Sequence, residues 1–373
     1  MNSIRPLSAF ALSAIILASA EAQPPSAKEA REALIGQIAA ATESDGPGCV
    51  AGIASRGRLI ASHASGYANL ELMVPLGTEM AFDIGSASKQ FTAISAAILV
   101  RRGMLDLDAD IRTYLPDMHR FDPPIRVSDL IYHSSGLPDV YEPLSWQFGG
   151  VDANQYPSDL IPKMARGISK LKFDPGSQFE YSNIGYLLLA EIVENVSGES
   201  LRAFADSNIF RPMGMTSTAF RDNSRELIPN RASAYSLSAD EKIWEWRHSD
   251  FDIMGDGGVY STLGDLAKWY NFFADPSLLE GGNDLLSLIL TPGSYTETGA
   301  SYRGMPIDYG FGVQILNYKG QKVIGHPGGW AGYATVPYYF PERDFAIIAL
   351  CNMQRREVVT AVLNEGARLA SPD

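Results

Sequence analysis

The pattern of apolar and polar positions separates a strand-rich outer part of the chain from a helix-rich middle. A helical pattern over residues 25–43 is followed by two strand-like runs near 48–55 and 58–66. Further strand-like runs lie around 309–316, 321–325, 331–340 and 344–351, before a closing helix over about 355–369. We therefore predict an α+β fold: one antiparallel sheet built from both termini and flanked by helices, with an inserted, mostly helical lobe.

This pattern also predicts a division into two lobes. The sheet-containing α/β lobe would comprise residues 23–90 and 250–373, and the mostly helical lobe residues 91–249. A mature chain of about 350 residues can bury a large core and commonly divides in this way. We expect the functional site at the seam between the lobes.

The first 22 residues have the features of a secretory signal. Arg5 precedes an apolar run over residues 7–20, and Ala20-Glu21-Ala22 supplies the small residues of a cleavage site. The run is too short to span a membrane as a helix. We expect cleavage near Ala22 and a periplasmic or secreted protein without membrane insertion.

The charge and composition of the chain limit the classes of partner and cofactor that it is expected to bind. Lys and Arg total 30 against 43 Asp and Glu, a net charge of −13, which is not the footprint of a nucleic-acid-binding protein. The five histidines are isolated, and no His-Glu-x-x-His or Cys-x-x-Cys spacing occurs. The sequence thus predicts neither a metal nor a cofactor, and it leaves the oligomeric state open.

The first candidate for chemistry is Ser86-Ala87-Ser88-Lys89. The apolar run over residues 90–100 predicts a buried helix that Ser86 opens and that stops at Gly103. Residues three apart share a helix face, so Ser86 and Lys89 should meet, whereas Ser88 lacks that spacing. A shielded lysine can lose its proton near neutral pH and then accept the proton of the attacking serine. The alternative is an N-capping serine beside a solvated lysine.

The second candidate is Tyr181-Ser182-Asn183, on a loop before an apolar helix that ends at Gly198. A phenol near cations can relay a proton, and an amide can hold a substrate carbonyl or the lysine amine. A tyrosine that serves only in packing is the alternative.

The third candidate is His326-Pro327-Gly328, which interrupts two strand-like runs. Pro327 cannot donate a ladder hydrogen bond, so the strand should be at an edge or bulged here. Glycines at this point would let a substrate backbone approach closely.

Together and in this order, the three stretches resemble the serine β-lactamase and penicillin-binding superfamily, nearest its class C branch and the related D-peptidases and esterases. Further matches to the sequences of this superfamily lie in residues 83–93, 133–138 and 256–262. The resemblance covers nearly all of the mature chain.

The resemblance implies Ser86 as the acylated nucleophile, with Lys89 and Tyr181 sharing the acid and base work. The oxyanion hole would be the backbone N–H groups of Ser86 and Gly329. The implied substrate-binding residues are Asn183, His326, Gly328 and Gly329. The substrate would be a small ester, amide or peptide.

The third motif departs from many penicillin-binding relatives, which have Lys-Thr-Gly there to receive a substrate carboxylate. His326, mostly neutral near pH 7, and the hydroxyl-free Pro327 take those places. Esters, D-amino-acid amides or peptides are therefore favoured over β-lactams and D-Ala-D-Ala peptides, which remain the alternative. An arginine from residues 221–250 could supply the missing cation.

The resemblance also bears on the two cysteines. In the superfamily's sheet the first and last strands are antiparallel neighbours, which would bring Cys49 and Cys351 together. An oxidising compartment permits a disulfide between them. Two buried thiols are the alternative.

Other classes compete with this interpretation. An α/β-hydrolase is excluded because no Gly-x-Ser-x-Gly occurs. A non-catalytic sensor or scaffold on the same fold is the alternative from another class, since fold does not fix function. Residues 139–160 are expected to form a surface loop that could wall the site. Residues 221–250, with Trp244, Trp246 and His248, either line the site or pack.

Overall fold

One antiparallel sheet, drawn from both ends of the chain, organises the molecule. The computed structural model describes residues 23–39, 45–139, 141, 160–238, 240, 242–252, 254–302, 304–354 and 357–371. The predicted signal segment, residues 1–22, lies outside the described residues. Within the described part, no helix combines the length and apolar character needed to cross a membrane.

The described helices are α1 (Ala27–Ala39), α2 (Lys89–Arg101), α3 (Val127–Ile131), α4 (Leu160–Gly167), α5 (Asn183–Ser197), α6 (Leu201–Ala205), α7 (Leu263–Asn271), α8 (Gly282–Ile289) and α9 (Glu357–Ala370). The strands before residue 300 are β1 (Cys49–Ser55), β2 (Arg58–Ser65), β3 (Tyr67–Asn69), β4 (Val74–Pro75), β5 (Phe82–Asp83), β6 (Ala219–Phe220), β7 (Ala234–Leu237), β8 (Trp244–Arg247) and β9 (Val259–Ser261). The later strands are β10 (Ser301–Tyr302), β11 (Met305–Pro306), β12 (Asp308–Tyr309), β13 (Gln314–Tyr318), β14 (Gln321–Gly325), β15 (Gly328–Trp330), β16 (Tyr333–Phe340) and β17 (Phe345–Cys351).

The main sheet has the order β12-β13-β14-β16-β17-β1-β2, and β15 also pairs with β16. The N-terminal strand β1 lies antiparallel to the last strand β17, with Cys49 opposite Cys351. The predicted α+β fold, with a sheet built from both termini, is confirmed. The predicted lobe boundaries near residues 90 and 250 stay a prediction.

Helices cover both faces of the central strands. A Cβ on Gly52 of β1 would meet Leu263 of α7, and a Cβ on Gly366 of α9 would meet Ile347 of β17. Gly52 pairs with Ile348, so Ile347 points to the opposite face. Helices α7 and α9 therefore pack on opposite faces, which explains why β17 is buried along its whole length.

The two cysteines form a disulfide in the buried centre of the sheet. Both residues are fully buried and directly opposite each other on β1 and β17. The bond joins positions 302 residues apart in sequence. The pairing implied by the resemblance is confirmed.

Two predicted strand boundaries were wrong. The run predicted over 309–316 is broken between β12 and β13, because Gly310 and Gly312 press against other backbone. A Cβ on Gly312, whose φ is +68°, would lie 2.5 Å from the carbonyl oxygen of Lys89. The strand predicted from residue 331 begins at Tyr333, because Ala331 and Gly332 form a turn with φ of +44° and +87°.

A smaller sheet of order β5-β9-β6 lies beside the main one. It places Asp83 opposite Tyr260, and Tyr260 opposite Ala219. On the helical side, α2 packs against α5. Ser86 and Lys89 follow directly after β5, and Tyr181 and Asn183 stand at the start of α5.

Candidate active site

Ser86 lies in a single 3₁₀ turn, Gly85–Ser88, that leads directly into α2. The prediction that Ser86 opens the α-helix itself was wrong by one turn, since the α-helix begins at Lys89. Gly85 has a φ of +52°, a conformation that favours glycine. The carboxylate of Asp83 accepts the backbone N–H of Gly85 at 2.8 Å and so ties down the start of the turn.

The predicted contact between Ser86 and Lys89 is present. The Nζ atom of Lys89 lies 3.3 Å from the Oγ atom of Ser86. The same amine donates to Oδ1 of Asn183 and to the backbone oxygen of Asp256, at 2.8 Å each. Lys89 is fully buried, so the alternative of a solvated lysine is wrong.

The environment of Lys89 brings the pKa of its amine closer to neutral pH. Burial lowers the pKa of Lys89 to about 8, against the opposing effects of the carboxylates of Asp256 and Asp139. Near neutral pH the protonated amine still predominates, and the unprotonated fraction grows as the pH rises through about 8. An unprotonated amine 3.3 Å from a hydroxyl can accept its proton.

Tyr181 stands over the amine, on the loop just before α5 as predicted. Its ring centroid is 4.9 Å from Nζ of Lys89. The ring of His133 lies 4.3 Å from that of Tyr181, and Nδ1 of His133 accepts the backbone N–H of Ser182 at 3.2 Å. His133 thus holds the loop that carries Tyr181.

Asn183 is oriented by a residue that the sequence did not reveal. Its Nδ2 donates to Oδ2 of Asp139 at 2.9 Å, and its backbone N–H reaches the same oxygen at 3.3 Å. With the amide nitrogen anchored there, Oδ1 of Asn183 faces Lys89. Asp139 has no sequence pattern linking it to α5, 44 residues away.

His326 is buried and neutral. Its Nδ1 lies 2.8 Å from the carbonyl oxygen of Pro327, which can only accept, so this nitrogen carries the proton. Nε2 then accepts from the hydroxyl of Tyr309 at 3.1 Å. Burial and the nearby Lys89 lower the pKa of His326 to about 3. The sequence-based expectation of a neutral histidine agrees with this arrangement.

Gly328 packs directly against the turn that carries Ser86. A Cβ on Gly328 would lie 1.9 Å from the carbonyl oxygen of Ile84 and 3.0 Å from the backbone nitrogen of Ala87. A Cβ on Gly85 would lie 2.6 Å from the backbone nitrogen of Gly329. The glycines therefore let β15 approach the turn that carries Ser86, and Pro327 lies at the break between β14 and β15.

The backbone N–H of Gly329 points away from the neighbouring strand. Trp330 pairs with Tyr333 across a two-residue turn, and Gly329 pairs with Ala334. Both turn residues have positive φ, as in the hairpin turns whose closing pair exchanges hydrogen bonds. Hydrogen-bonded and open pairs alternate, so Gly329 is in an open pair. Its N–H therefore faces the turn of Ser86, where it can stabilise an oxyanion.

A cavity of about 240 Å³ opens beside Ser86. Of the predicted site residues, Ser86, Asn183 and Gly329 line it, whereas Lys89, Tyr181, His326 and Gly328 do not. The other lining residues are Asp83, Gly85, Tyr141, Arg221, Ser249, Phe251, Asp256, Gly257, Gly258, Tyr260 and Trp330. Asp256 lies within residues 256–262, which match the superfamily but to which the resemblance assigned no role.

The sequence did not decide whether the segments 139–160 and 221–250 line the site, and the structure answers this for part of each segment. Arg221 and Ser249, at the ends of the tract 221–250, line the cavity. Trp246 and His248 stack on each other at 5.2 Å and do not line it, and Trp246 is exposed. Of the predicted loop 139–160, Asp139 and Tyr141 border the site, and residues 140 and 142–159 lie outside the described residues.

Arg221 is a buried cation on the cavity wall, only 5% exposed. Its Nη1 donates to the hydroxyl of Tyr260 at 3.1 Å, and its other groups donate to the backbone oxygens of Asn223, Ser224 and Ser249. The arginine anticipated from the tract 221–250 is thus present. Among the described residues, no group of three or more His, Cys, Asp or Glu could hold a metal ion.

Comparisons with known proteins agree with this architecture. A family model described as beta-lactamase matches residues 32–371. Penicillin-binding protein 4* of Bacillus subtilis is 31% identical over 321 residues, covering 81% of this chain and 67% of that protein. A D-aminopeptidase of Cereibacter sphaeroides is 29% identical over 310 residues, covering 82% of this chain and 57% of that protein.

Among solved structures, the octameric penicillin-binding protein homologue from Pyrococcus abyssi superposes with a TM-score of 0.77 at 26% identity. It covers 90% of this chain, and the chain covers 75% of it. The chain thus spans about three-fifths of the D-aminopeptidase's length but most of the solved homologue. Since the family model extends over nearly the whole described chain, this protein belongs to the beta-lactamase family.

Proposed function

We propose that this protein is a serine hydrolase that forms an acyl-enzyme on Ser86 and cleaves small esters, or amides and peptides of D-amino acids. The observation that carries the proposal is the 3.3 Å contact between Ser86 Oγ and the buried amine of Lys89. Membership of the beta-lactamase family and the D-aminopeptidase and penicillin-binding relatives support a serine hydrolase.

Acylation would use the groups around Lys89. The free amine accepts the proton of Ser86 as Oγ bonds to the substrate carbonyl carbon. Negative charge then develops on the carbonyl oxygen, where the N–H groups of Ser86 and Gly329 stabilise it. The bond to the leaving alcohol or amine breaks, and the leaving group takes a proton from the Lys89 and Tyr181 pair.

Deacylation would reverse the proton path. Water attacks the Ser86 ester and gives a proton to the same Lys89 and Tyr181 pair. The carboxylic acid product leaves as the proton returns to Ser86 Oγ. Asn183, which Asp139 anchors, would hold both the amine of Lys89 and the substrate carbonyl in position.

The substrate preference rests on the third motif. The neutral, internally bonded His326 offers no cation to a substrate carboxylate near β15. An uncharged ester needs only the two backbone N–H groups and the proton path. We therefore expect esters and D-amino-acid amides to be better substrates than penicillins.

The second candidate is a β-lactamase or D-Ala-D-Ala carboxypeptidase. One observation favours it: Arg221 places a buried guanidinium on the cavity wall. The penicillin-binding relative supports it as well. A third candidate is a non-catalytic sensor on this fold. The argument against it is the assembled site of Ser86, Lys89, Tyr181 and Asn183.

We also propose a periplasmic or secreted location, with cleavage near Ala22. The support is the signal pattern of residues 1–22, together with a disulfide that suits an oxidising compartment. Expression in a bacterial host, fractionation and N-terminal sequencing of the mature protein test it. An uncleaved cytoplasmic protein would contradict the proposal.

A substrate panel tests the proposed function. An aryl butyrate, D-alanine anilide and a chromogenic cephalosporin are compared by kcat/KM with the wild-type protein and with Ser86→Ala. The proposal expects turnover of the ester or the amide above that of the cephalosporin, and none by the variant. A higher kcat/KM for the cephalosporin would favour the second candidate.

A further inference from the structure

The amine of Lys89 contacts two oxygen atoms that can only accept hydrogen bonds. One is the backbone oxygen of Asp256, at 2.8 Å from Nζ. The other is Oδ1 of Asn183, also at 2.8 Å, because the Nδ2 group of Asn183 donates to Asp139. A neutral amine has two N–H groups and one lone pair. When the two N–H groups donate to these oxygens, the lone pair is left for Ser86 Oγ, 3.3 Å away.

The direction of this lone pair decides whether the free amine of Lys89 can act as a base. A general base must accept the proton along a hydrogen bond from the group that it activates. If one of the two oxygens moved, an N–H group could turn towards Ser86 Oγ, and the amine would then donate to the serine instead of accepting from it. Both oxygens must therefore be held in place, and Asp139 holds only the one on Asn183.

The backbone next to the Asp256 oxygen is fixed by α2 and α5. Thr92 is fully buried on α2, three residues after Lys89, and its Oγ1 donates to the carbonyl oxygen of Gly255 at 2.7 Å. Gly255 has a φ of +126°, and a Cβ there would lie 2.7 Å from the carbonyl oxygen of Tyr186 on α5. The residue that precedes Asp256 is thus bound to the helix that carries Lys89 and packed closely against α5.

The side chain of Asp256 is held by a second hydroxyl. Tyr141 donates to Oδ2 of Asp256 at 2.8 Å, and Asp256 is only 8% exposed. The ring centroid of Tyr141 lies 5.6 Å from that of Trp330 and 5.8 Å from that of Phe251, so packing fixes the ring that carries the hydroxyl. A hydrogen bond to a carboxylate is stronger than one between neutral groups. Asp256 is therefore held both at the backbone before it and at its side chain.

The position of Asp256 can be separated from its charge. The carboxylate of Asp256 raises the pKa of Lys89, so a substitution of Asp256 itself would change both. The hydroxyls of Thr92 and Tyr141 are neutral, since burial raises the pKa of Tyr141 well above its usual value. Removing either hydroxyl frees Asp256 at one point and leaves the carboxylates near Lys89 in the chain.

We propose that Asp256, held by Thr92 and Tyr141, is a positioning residue that directs the lone pair of Lys89 at the hydroxyl of Ser86. Thr92 and Tyr141 are positioning residues in turn, because they act on Lys89 only through Asp256. The inference rests on the proposed function and adds to it the residues that orient its base.

The kinetics of Ser86 labelling by a fluorophosphonate test the proposal in Thr92→Val and Tyr141→Phe. The concentration dependence of labelling separates binding of the reagent, KI, from the rate of attack by Ser86, kinact. At about pH 9.5 the amine of Lys89 is mostly free, because its pKa is about 8. We expect each variant to lower kinact at this pH by roughly 10- to 100-fold, since a displacement of about 1 Å can cost about 100-fold. KI should stay unchanged.

Three further variants serve as controls. Thr92→Ser keeps the hydroxyl that bonds Gly255 and should keep most of the wild-type kinact. Ser95→Ala removes another fully buried hydroxyl of α2, one that donates to the carbonyl oxygen of Phe91 within the helix. Tyr318→Phe removes a phenol hydroxyl that donates to Asn364 at 2.9 Å. Ser95→Ala and Tyr318→Phe should leave kinact unchanged.

The outcomes separate this inference from the proposed function. If Thr92→Val or Tyr141→Phe leaves kinact unchanged, the inference is overturned and the hydrolase stands. A loss that is present at about pH 7 but disappears at about pH 9.5 also overturns it, because the residues would then act on the titration of Lys89 and not on its direction. An equal loss in Thr92→Ser or Ser95→Ala would assign the effect to the packing of α2 and overturn it too. If the wild-type protein is not labelled at Ser86, the proposed function itself fails.

Discussion

The amine of Lys89 lies 3.3 Å from the hydroxyl of Ser86, inside a site where Lys89 has no exposed surface. Burial lowers the pKa of Lys89 to about 8. An amine is protonated below its pKa and free above it, and only the free form accepts a proton. We therefore predict that kcat/KM rises with pH through about 8.

Lys89→Arg, which keeps the charge but cannot lose it, should reduce kcat/KM by about 10²- to 10⁴-fold and abolish this rise. A pH–rate profile with an uncharged aryl ester checks both statements. A profile that is flat between pH 6 and 10 in the wild-type protein would contradict the assigned role of Lys89.

The carboxylate of Asp139 raises the pKa of Lys89, against the effect of burial. Asp139→Asn removes the charge but retains an oxygen that can accept from Asn183. The rise of kcat/KM should therefore move to lower pH in this variant. Asp284→Asn, which removes an exposed carboxylate, serves as the control and should not move it. A shift to higher pH in Asp139→Asn would refute the electrostatic coupling.

A substitution at Gly328 tests the packing of β15 on the turn that carries Ser86. In Gly328→Ala the new Cβ would lie 1.9 Å from the carbonyl oxygen of Ile84, so the turn or the strand must shift. We expect kcat to fall about 100-fold, as for a catalytic group displaced by about 1 Å. Gly299→Ala, where no heavy atom lies within 4 Å, is the control. Full activity in Gly328→Ala would show that this contact does not set the geometry.

The disulfide between Cys49 and Cys351 closes a loop over 302 residues of sequence. Its reduction should lower the free energy of unfolding by about 2–5 kcal/mol. Denaturant unfolding with and without a reductant measures the difference, and the Cys49→Ala, Cys351→Ala double variant should lose its sensitivity to reductant. Two thiols titrated in the denatured, unreduced protein would contradict the bond.

The main strands and the contact between Ser86 and Lys89 could be predicted from the sequence because both depend on residues that are close together in the chain. The apolar runs that became β1 and β17 are short and continuous, as expected for strands covered on both faces. The three-residue spacing placed Ser86 next to Lys89 whether the turn was α or 3₁₀, because both helices bring such residues to one side.

The remaining parts of the site depend on contacts between distant segments. Asp256 meets Lys89 from 167 residues away, and Asp139 meets Asn183 from 44 residues away. Neither lies in a periodic pattern, because both stand on irregular backbone. Arg221 could be anticipated only as one arginine within a tract, since its position depends on β6 pairing with β9.

The breaks in predicted strands had the same origin. Gly310 and Gly312 lie within an apolar run that predicts a continuous strand, and only the backbone of α2 and α8 packed against them shows why the strand stops. A Cβ on Gly310 would lie 2.3 Å from the carbonyl oxygen of Ile289. Such close approaches between elements are not encoded in local hydrophobic periodicity.

Covalent trapping of Ser86 tests the central claim most directly. The wild-type protein is treated with a fluorophosphonate or a slowly hydrolysed aryl ester, and the adduct is located by peptide mass mapping. Ser88→Ala is the matched control, because Ser88 lies two residues away and its Oγ accepts the backbone N–H of Val259. The account predicts a single adduct on Ser86, lost in Ser86→Ala and retained in Ser88→Ala. An adduct on another residue, or undiminished turnover by Ser86→Ala, would contradict it.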